Sequence, residues 1–572
     1  MARGRLVSLF GAICLLAGPA WAGPRASSAE ALRAEAFVAA QWAVTSDAAA
    51  ALAKVSGRIA GGDSEVAKLA DRREGLLTRR RDLERRQEEA FATSETPQQS
   101  RERALIRAEY ASTLSSLAEV DAQLTEAFPA YVDLTRPQSL SVKETQGLLG
   151  PDEALLLVLS NEEAAYVWVV TDKTDTWARA PELNRAALDA LVSDIRKTLA
   201  TTGSRARPRR QGEPPAPTRP FEAMKAHSLY KALIAPVEAT LAGRTTLIVV
   251  TPGALGSLPL TLLPVSPLST DPQTAEDLRR ISWLGDRYAV ASLPAVSSLK
   301  ALRCHLAERP ARGCRGKPKE RAATSGAERL RLVGFGAPVL NGRPAAESLG
   351  PPAADQVFVQ ALANPAKLRE LSPLPGSEAE LAQVLERYPD ARIRRGADAT
   401  ETAVKTTGRH ELARARYVLF STHGLLAGDP AAPGEPGLVL TPPETATALD
   451  DGLLTASEAA ELRLAADLVV LSACNTAASD GRLGGEGLSG LARAFFYAGA
   501  RGLLVSHWEV NDLATTQLML RAFDGLEGDT PLSRAKALQA ASRQVRDDPA
   551  HPEWAHPAFW SAFTLVGEPS LS

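Results

Sequence analysis

The segment ADLVVLSACNTA, residues 466–477, sets a cysteine directly behind a run of apolar residues. A short run rich in Val and Leu predicts a buried strand. Helical patterns separate this run from others like it. The comparable runs are residues 245–252, 288–294, 329–336, 415–422 and 501–508, and the helical patterns are residues 377–388, 454–462 and 488–498. Because the runs lack strict alternation and lie between helices, the sequence predicts an α/β fold with a mostly parallel sheet flanked by helices.

Two residues that could carry out chemistry follow these predicted strands. The segment ARYVLFSTHG, residues 415–424, ends in His423 and Gly424, and Cys474 follows the strand of residues 466–473. The carboxyl ends of adjacent parallel strands meet at one edge of a sheet. Residue numbers 474 minus 423 give a separation of 51, close to the spacing of about 50 between histidine and cysteine in caspases. We therefore predict that His423 and Cys474 form a catalytic dyad.

A cysteine–histidine dyad has a defined chemistry. A thiol with a pKa of about 8.5 is mostly protonated at neutral pH, so an adjacent imidazole raises the thiolate fraction and later protonates the leaving amine. Glycine after the histidine lets the backbone approach the substrate, so the N–H groups of Gly424 and Cys474 are the predicted oxyanion donors. The alternative is that Cys474 is a buried structural thiol and His423 a core residue.

Several sequence blocks in a fixed order resemble the CHAT domain, the caspase-like module of clan CD cysteine peptidases related to separase. The resemblance extends from Phe221 to Gly567. Its blocks are LIVVTPGALGSLPLTLL (247–263), LPGSEAELAQV (374–384), GADATETAV (396–404), VLFSTHG (418–424), DLVVLSACNTA (467–477), GGEGLSGLARAFFYAGARGLLVSHWEVND (484–512) and HPAFWSAFTLVGEP (556–569). The resemblance implies a caspase-like fold and cleavage of peptide bonds by the dyad.

The chain departs from the family pattern in three ways. Ala473-Cys474-Asn475 replaces the glutamine-alanine-cysteine form of caspases, so the chain is not a caspase proper. We found no convincing repeat of about 34 residues, so the usual tetratricopeptide array is missing or eroded. The third departure is an apparent export signal at the N-terminus.

The resemblance also suggests where the S1 subsite lies. HWEVND, residues 507–512, resembles the separase segment of tryptophan, aspartate, valine, threonine and aspartate, and Asp512 matches its last aspartate. A carboxylate there would favour Arg or Lys at P1 through a charge-assisted pair. Glu509 is the substitute candidate, and Trp508 either packs or lines a subsite. The alternative role for Asp512 is to cap a helix that begins near Leu513.

Composition limits the function classes. The chain has 572 residues, a formal net charge of -2 and a pI near 6.5, which removes the electrostatic reason to expect nucleic acid or an anionic membrane as partner. Its length predicts more than one domain. The predicted organisation is a signal peptide (1–22), a helical region of coiled-coil or degenerate tetratricopeptide type (23–135), a subdomain with a β-hairpin (136–200), a Pro/Arg-rich linker (201–220) and the peptidase domain (221–572).

The N-terminus predicts export. Arg3 and Arg5 precede an apolar run to about Ala20, and Ala20-Trp21-Ala22 forms a small-x-small cleavage site. We therefore expect a periplasmic or secreted protein from a bacterial cell. An uncleaved membrane anchor is the alternative, although glycine and proline interrupt the short apolar run, and no later segment is long enough to cross a membrane.

Removal of the signal leaves an odd number of cysteines. Cys304 and Cys314 lie in one polar segment, so a short-loop disulfide between them is the simplest pairing and Cys474 stays free. The histidines show no spacing typical of zinc ligands, and GEGLSG, residues 485–490, lies too far behind its strand for a dinucleotide site. We expect neither a metal nor an organic cofactor.

The expected partners are a protein or peptide substrate and a protein activator that acts through the N-terminal helices. The segment SRARPRRQG, residues 204–212, offers arginines in the exposed linker, so self-cleavage there is a further hypothesis. The competing interpretation is a catalytically silent CHAT scaffold that binds partners through its helical region.

Overall fold

The fold is known from a computed structural model. It describes residues 29–42, 97–127, 139–199, 219–306, 311–314, 329–341, 363–425, 436–447, 449–473, 490–508 and 511–570, together with isolated residues between 69 and 83. The predicted signal peptide, residues 201–218 of the predicted linker (201–220) and the segment 474–489 lie outside these residues.

The described strands form one large sheet and one small sheet. They are β1 Glu153–Ser160, β2 Ala165–Thr171, β3 Asp175–Ala180, β4 Thr246–Val250, β5 Ala289–Ser292, β6 Leu330–Gly336, β7 Arg392–Arg395, β8 Ala415–Ser421, β9 Gly424–Leu425, β10 Gly437–Val439, β11 Leu453–Thr455, β12 Leu468–Ser472, β13 Gly502–Ser506 and β14 Phe563–Gly567. The large sheet has 11 strands in the order β3-β2-β1-β4-β5-β14-β13-β12-β8-β6-β7, and the small sheet has the order β11-β10-β9.

Helices connect the strands and cover the large sheet. The described α-helices are α1 Ala29–Trp42, α2 Pro97–Ala127, α3 Val142–Leu148, α4 Arg185–Leu199, α5 Ala223–Leu233, α6 Glu238–Leu241, α7 Ala275–Arg280, α8 Leu284–Arg287, α9 Ser297–Lys300, α10 Pro365–Arg369, α11 Pro375–Arg387, α12 Gly408–Leu412, α13 Ala456–Glu461, α14 Gly490–Ala498, α15 Asp512–Glu527, α16 Arg534–Arg546 and α17 Pro557–Trp560. Within the described part of the chain, no helix is long and apolar enough to cross a membrane.

The pairing of the strands confirms the predicted mixed α/β class. Strands β13, β12, β8, β6 and β7 run parallel to their neighbours in that order. Successive residues of β12 pack on opposite faces, with Leu468 and Val470 in one core and Val469 and Leu471 in the other. Because helices cover both faces, every residue of β12 is buried, which explains the uninterrupted apolar run in the sequence.

The predicted β-hairpin of residues 136–200 is part of this same sheet. β1 pairs antiparallel with β2 and parallel with β4, and β3 adds a further antiparallel strand that the sequence analysis did not assign. At the other side of β5, β14 pairs antiparallel with β13 and was also not assigned as a strand. The backbone hydrogen bonds are therefore continuous from the connecting region into the domain that carries the candidate site.

A buried ion network connects the start of β1 with the residue that follows β14. The guanidinium of Arg303 donates to Glu153 at 2.7 Å, to Glu568 at 2.9 Å and to the carbonyl oxygen of Leu148 at 2.7 Å. The next residue, Cys304, forms a disulfide with Cys314 with an S–S distance of 1.99 Å. The disulfide loop and the ion network thus lie together at the junction between α3 and the sheet.

The N-terminal helix α1 packs on the same side of the molecule. The side-chain amide of Gln41 donates to the carbonyl oxygen of Leu140 at 2.8 Å and accepts from its N–H at 2.9 Å. Phe37 is fully buried in the core that also contains Trp168. Helix α1 is therefore docked on the sheet through α3 and β2.

Candidate active site

The described end of β12 lies beside the end of β8. Ser472 is the register partner of Ser421, and the N–H of Thr422 donates to the carbonyl oxygen of Ser472 at 3.3 Å. His423 follows Thr422 directly, at the edge where both strands end. Cys474 lies outside the described residues, and its predecessor Ala473 is fully buried. The carbonyl oxygen of Ala473 accepts a hydrogen bond from Ser506 of β13 at 2.5 Å.

The register between these strands has a specific value. Ser472 minus Ser421 is a separation of 51 residues, and every other pair of β8 and β12 has the same separation. The sequence separation of His423 and Cys474 is also 51. The sequence separation of the two predicted dyad residues thus equals the offset between the paired strands.

The imidazole of His423 is held by a backbone carbonyl group. Its Nε2 lies 2.8 Å from the carbonyl oxygen of Ser372, in the segment that leads into α11. Because a carbonyl oxygen can only accept, Nε2 carries the proton and Nδ1 keeps the lone pair in the neutral ring. The half-buried imidazole thus has the tautomer in which Nδ1 can accept a proton from a neighbouring group.

Gly424 begins a short strand at the site. It is the first residue of β9, and its register partner is Leu438 of β10. The preceding carbonyl oxygen, that of His423, accepts from the N–H of Val439 at 3.0 Å. The small sheet therefore fixes the backbone on both sides of His423. The predicted oxyanion donors, Gly424 and Cys474, stay a prediction because Cys474 is outside the described residues.

A buried carboxylate, which the sequence analysis did not single out, lies beneath both strand ends. Glu380 of α11 has 1% exposure, and it accepts hydrogen bonds from the hydroxyl groups of Ser421 and Ser472. The bonds from Ser472 are 3.0 and 3.1 Å long. One signal in the sequence could have shown this residue. An acidic side chain stands at position 380 beside Leu381 and Val384 on the apolar face of an amphipathic helix.

Asp512 is the first residue of α15 and lies against the start of α11. A Cβ atom placed on Gly376 would be 1.9 Å from Cγ of Asp512, so glycine is needed for this contact. The helix cap predicted for Asp512 belongs to its neighbour, because Oδ1 of Asn511 accepts from the N–H of Ala514 at 3.1 Å. That alternative was wrong by one residue. The contact with Gly376 shows that Asp512 lies on the side of α15 that faces α11.

The other predicted S1 residues differ in position. Glu509 lies outside the described residues. Trp508 has 5% exposure, belongs to the core, and donates its indole N–H to the carbonyl oxygen of Ala558 at 3.0 Å. Such burial fits the packing role for Trp508 and leaves little of its ring for a substrate.

His507 is a structural histidine at the end of β13. Its Nε2 lies 2.8 Å from the hydroxyl oxygen of Thr564, and burial, with a smaller effect of Arg196, lowers the pKa of His507 to about 3. Burial also lowers the pKa of His556 to about 4. Both rings are therefore neutral at physiological pH. Across the described part of the chain, no group of His, Cys, Asp and Glu residues converges in a way that could hold a metal ion.

Residues 224–568, more than half of the chain, match the CHAT domain family. The chain belongs to the CHAT domain family. The resemblance inferred from the sequence blocks is confirmed.

Two curated relatives share this region. Tetratricopeptide repeat protein 28 of Mus musculus is 28% identical over 393 residues, which cover 64% of this chain and 14% of the relative. Tetratricopeptide repeat protein 28 of Homo sapiens is 27% identical over 440 residues, which cover 70% of this chain and 15% of the relative. The CHAT chain thus spans about one seventh of the length of these relatives.

Two solved structures were also similar. The separase–securin complex of Saccharomyces cerevisiae has a TM-score of 0.38 and 10% identity, and the match covers 77% of this chain and 31% of that chain. The complex of RgpB pro- and mature domains of Porphyromonas gingivalis has a TM-score of 0.32 and 10% identity, and the match covers 62% of this chain and 70% of that chain.

Proposed function

We propose that this CHAT domain protein is a cysteine endopeptidase whose dyad consists of His423 and Cys474. The observation that carries the proposal is the constant offset of 51 residues between paired positions of β8 and β12, which equals the sequence separation of His423 and Cys474. Membership of the CHAT domain family supports the same reading.

The geometry around His423 fits the role of the base. Its Nε2–H is donated to the carbonyl oxygen of Ser372, so Nδ1 carries the lone pair that would take the proton of the Cys474 thiol. The carbonyl group acts as the third partner, which orients the ring and fixes its tautomer. The same arrangement stabilises the imidazolium form, because an N–H that carries positive charge makes a stronger hydrogen bond.

The proposed reaction proceeds in two steps. The thiolate of Cys474 attacks the scissile carbonyl carbon and forms a C–S bond, and the N–H groups of Gly424 and Cys474 donate to the oxyanion. The imidazolium of His423 then protonates the amine as the C–N bond breaks, which leaves a thioester. Water, deprotonated by His423, attacks the thioester and releases the carboxylic acid and the free thiol.

We propose Asp512 as the residue that selects Arg or Lys at P1. Its carboxylate lies at the first turn of its own helix α15 and against the first turn of α11, and helix N-termini stabilise a negative charge. A guanidinium or ammonium group of a substrate would pair with this charged carboxylate. Glu509 stays the substitute candidate.

Export, self-cleavage and activation belong to the same proposal. The signal at residues 1–22 would deliver the protein to the periplasm or the exterior, where the disulfide of Cys304 and Cys314 persists. Self-cleavage between 204 and 212 would cut the chain between α4 and α5 in sequence. A protein that binds α1 could activate or restrain the enzyme, because α1 is docked on the sheet through Gln41.

The second candidate function is a silent scaffold. One observation favours it: the described helices α1 and α2 leave Leu32, Leu105 and Leu114 exposed at 53%, 68% and 41%, so the helical region offers several apolar side chains to a partner. A scaffold does not require His423 to hold a particular tautomer, and this difference is the reason why the peptidase is the preferred proposal.

A panel of fluorogenic peptides tests the proposed function. The peptides carry Arg, Lys, Asp or Leu at P1 and are incubated with the wild-type protein and with Cys474→Ala. Turnover at Arg and Lys that disappears in Cys474→Ala is the expected result. Turnover only at Asp or Leu would overturn the role of Asp512, and turnover that persists in Cys474→Ala would overturn the dyad.

A further inference from the structure

One short segment of the chain contacts three described parts of the proposed site. We call residues 372–380 the organising segment. Its first residue, Ser372, holds Nε2 of His423 at 2.8 Å through the backbone carbonyl group. Gly376 lies against Asp512, and Glu380 accepts hydrogen bonds from the ends of β8 and β12. The base, the proposed S1 residue and both catalytic strands therefore depend on one element.

Glu380 makes the contact that joins the two strands. Ser421 and Ser472 are fully buried, and each stands two residues before a member of the dyad, His423 or Cys474. The carboxylate of Glu380 is thus bonded to the last paired residues of β8 and β12, which precede the two dyad residues by two positions in the sequence.

The hydrogen bonds from Ser421 and Ser472 to Glu380 lie where the backbone pairing of β8 and β12 ends. Ser421 and Ser472 form the last register pair of β8 and β12, and one further backbone hydrogen bond, from Thr422 to Ser472, follows it. A carboxylate that accepts from two hydroxyl groups makes charge-assisted bonds, which are about twice as strong as bonds between neutral groups. The side-chain bridge therefore fixes the spacing of the two strands where the backbone ladder stops.

We propose that Glu380 is a positioning residue for the dyad, acting through Ser421 and Ser472 to set the distance between the imidazole of His423 and the thiol of Cys474. This inference rests on the proposed function of the dyad. Glu380 itself touches neither substrate nor reacting atoms in this scheme. Its contribution is geometric, since a misplacement of about 1 Å can lower a rate about 100-fold.

If Glu380 acts by positioning the strand ends, its substitution by alanine and by glutamine should have different effects. Glu380→Ala removes both hydrogen bonds and frees the strand ends. Glu380→Gln keeps the length of the side chain, and its amide group can accept from one hydroxyl group and donate to the other. The glutamine should therefore restore the spacing although it lacks the charge.

The test uses the alkylation rate of Cys474 by iodoacetamide, measured between pH 5 and pH 9 by peptide mapping of the full chain. In the wild type the thiolate is stabilised by the imidazolium of His423, so alkylation is expected to persist below the range of a free thiol. Glu380→Ala should slow alkylation at pH 6 at least tenfold and move its pH profile towards that of a free thiol. Glu380→Gln should stay within about threefold of the wild type at every pH.

Peptidase assays on the same variants give the second readout. Glu380→Ala should lower kcat about 10- to 100-fold with little change in KM, because the substrate subsite is intact. Glu401→Gln is the matched control: this buried glutamate accepts from the N–H groups of Asp451 and Gly452, away from β8 and β12. It should leave kcat and the alkylation profile unchanged.

The outcomes separate the alternatives. Wild-type kcat and alkylation in folded Glu380→Ala would overturn the inference, as would a Glu380→Gln protein as slow as the alanine variant with a shifted pH profile. If Glu380→Ala does not fold, Ser421→Ala and Ser472→Ala replace it, and unchanged alkylation in both overturns the inference. A wild-type protein without peptidase activity would instead contradict the proposed function. The alkylation rates would still test the positioning role of Glu380.

Discussion

Nε2 of His423 lies 2.8 Å from the carbonyl oxygen of Ser372, although the two residues are 51 positions apart in the chain. A catalytic histidine needs a second partner that fixes its tautomer, and here a backbone group supplies it. Because the partner is a carbonyl group, no side-chain substitution removes it. The role of His423 is therefore tested by substitution of the imidazole itself.

The first prediction concerns His423 itself. His423→Ala should lower kcat/KM for basic-P1 peptides about 1,000-fold or more, because the thiol then lacks both its base and the acid for the leaving amine. His410→Ala is the control, since His410 is an exposed residue of α12 away from the site. Steady-state kinetics on the fluorogenic panel measures both. Equal activities of the two variants would contradict the role of His423.

The second prediction concerns the contact of Gly376 with Asp512. Asp512→Asn should lower kcat/KM for Arg at P1 about 100-fold and leave any turnover at Leu nearly unchanged, because only the charged substrate loses its partner. Gly376→Ala should act in the same direction, since its added Cβ would fall 1.9 Å from Cγ of Asp512 and displace it.

Gly75→Ala is the control for this second prediction. An added Cβ at Gly75 meets nothing within 4 Å, so the substitution should not change selectivity. The ratio of kcat/KM for Arg and Leu peptides is the measured quantity. A ratio that stays constant in Asp512→Asn would show that another residue selects the P1 side chain.

How well the sequence predicts a strand of this fold depends on how deeply that strand is buried. The parallel strands β8, β12 and β13 were predicted because nearly every residue in them is buried and most are apolar, so the signal is strong. β7, residues 392–395, was not predicted. It is an edge strand with the sequence RIRR, and edge strands commonly carry charges that block further pairing.

The residues of the candidate site also differ in how well the sequence predicts their roles. The spacing of His423 and Cys474 can be read from the sequence, because a parallel register is a constant offset and β8 and β12 are adjacent. The role of Glu380 could not be read, since a glutamate on an apolar helix face is explained only when two hydroxyl groups from different strands meet it. Likewise Asn511 and Asp512 are both suitable N-cap residues, and the backbone decides between them.

The third prediction concerns the buried ion network of Arg303. Arg303→Met should lower the free energy of unfolding by about 3–5 kcal/mol at pH 7, because Glu153 and Glu568 then face each other without a counter-charge. Arg280→Met removes an exposed pair with Glu276 and should cost less than about 1 kcal/mol. Urea unfolding measures both, and equal losses would contradict the network.

The same network has a pH dependence. Burial alone would raise the pKa of Glu568, but Arg303 and Ser570 hold it below its ordinary value of 4.5. Because the pKa is lowered in the folded state, the stabilisation is fully present above about pH 4.5 and is lost as the pH falls. The stability difference between wild type and Arg303→Met should therefore shrink from pH 7 towards pH 3.

The fourth prediction concerns His507. Burial lowers its pKa to about 3 in the folded protein, whereas the unfolded chain binds the proton near the ordinary value of 6.5. The unfolded state is therefore favoured as the pH falls between these values, by up to about 1.4 kcal/mol per pH unit. His507→Gln should flatten the fall in unfolding free energy between pH 6.5 and pH 4. An unchanged slope would mean that His507 is protonated in the folded state.

The fifth prediction concerns self-processing. Incubation of the wild type should produce two fragments that separate within residues 204–212, and Cys474→Ala should stay intact. A variant with Arg205, Arg207, Arg209 and Arg210 changed to Gln should also stay intact while it keeps activity on peptides. Intact protein after long incubation of an active wild type would count against self-cleavage.

Active-site labelling tests the central claim most directly. The wild type, Cys474→Ala and His423→Ala are treated with a peptidyl acyloxymethyl ketone that ends in Arg, and the adduct is located by peptide mass spectrometry. The account predicts a single adduct on Cys474 in the wild type and a strong loss of labelling in His423→Ala. Labelling of another residue, or equal labelling of Cys474 with and without His423, would contradict the dyad.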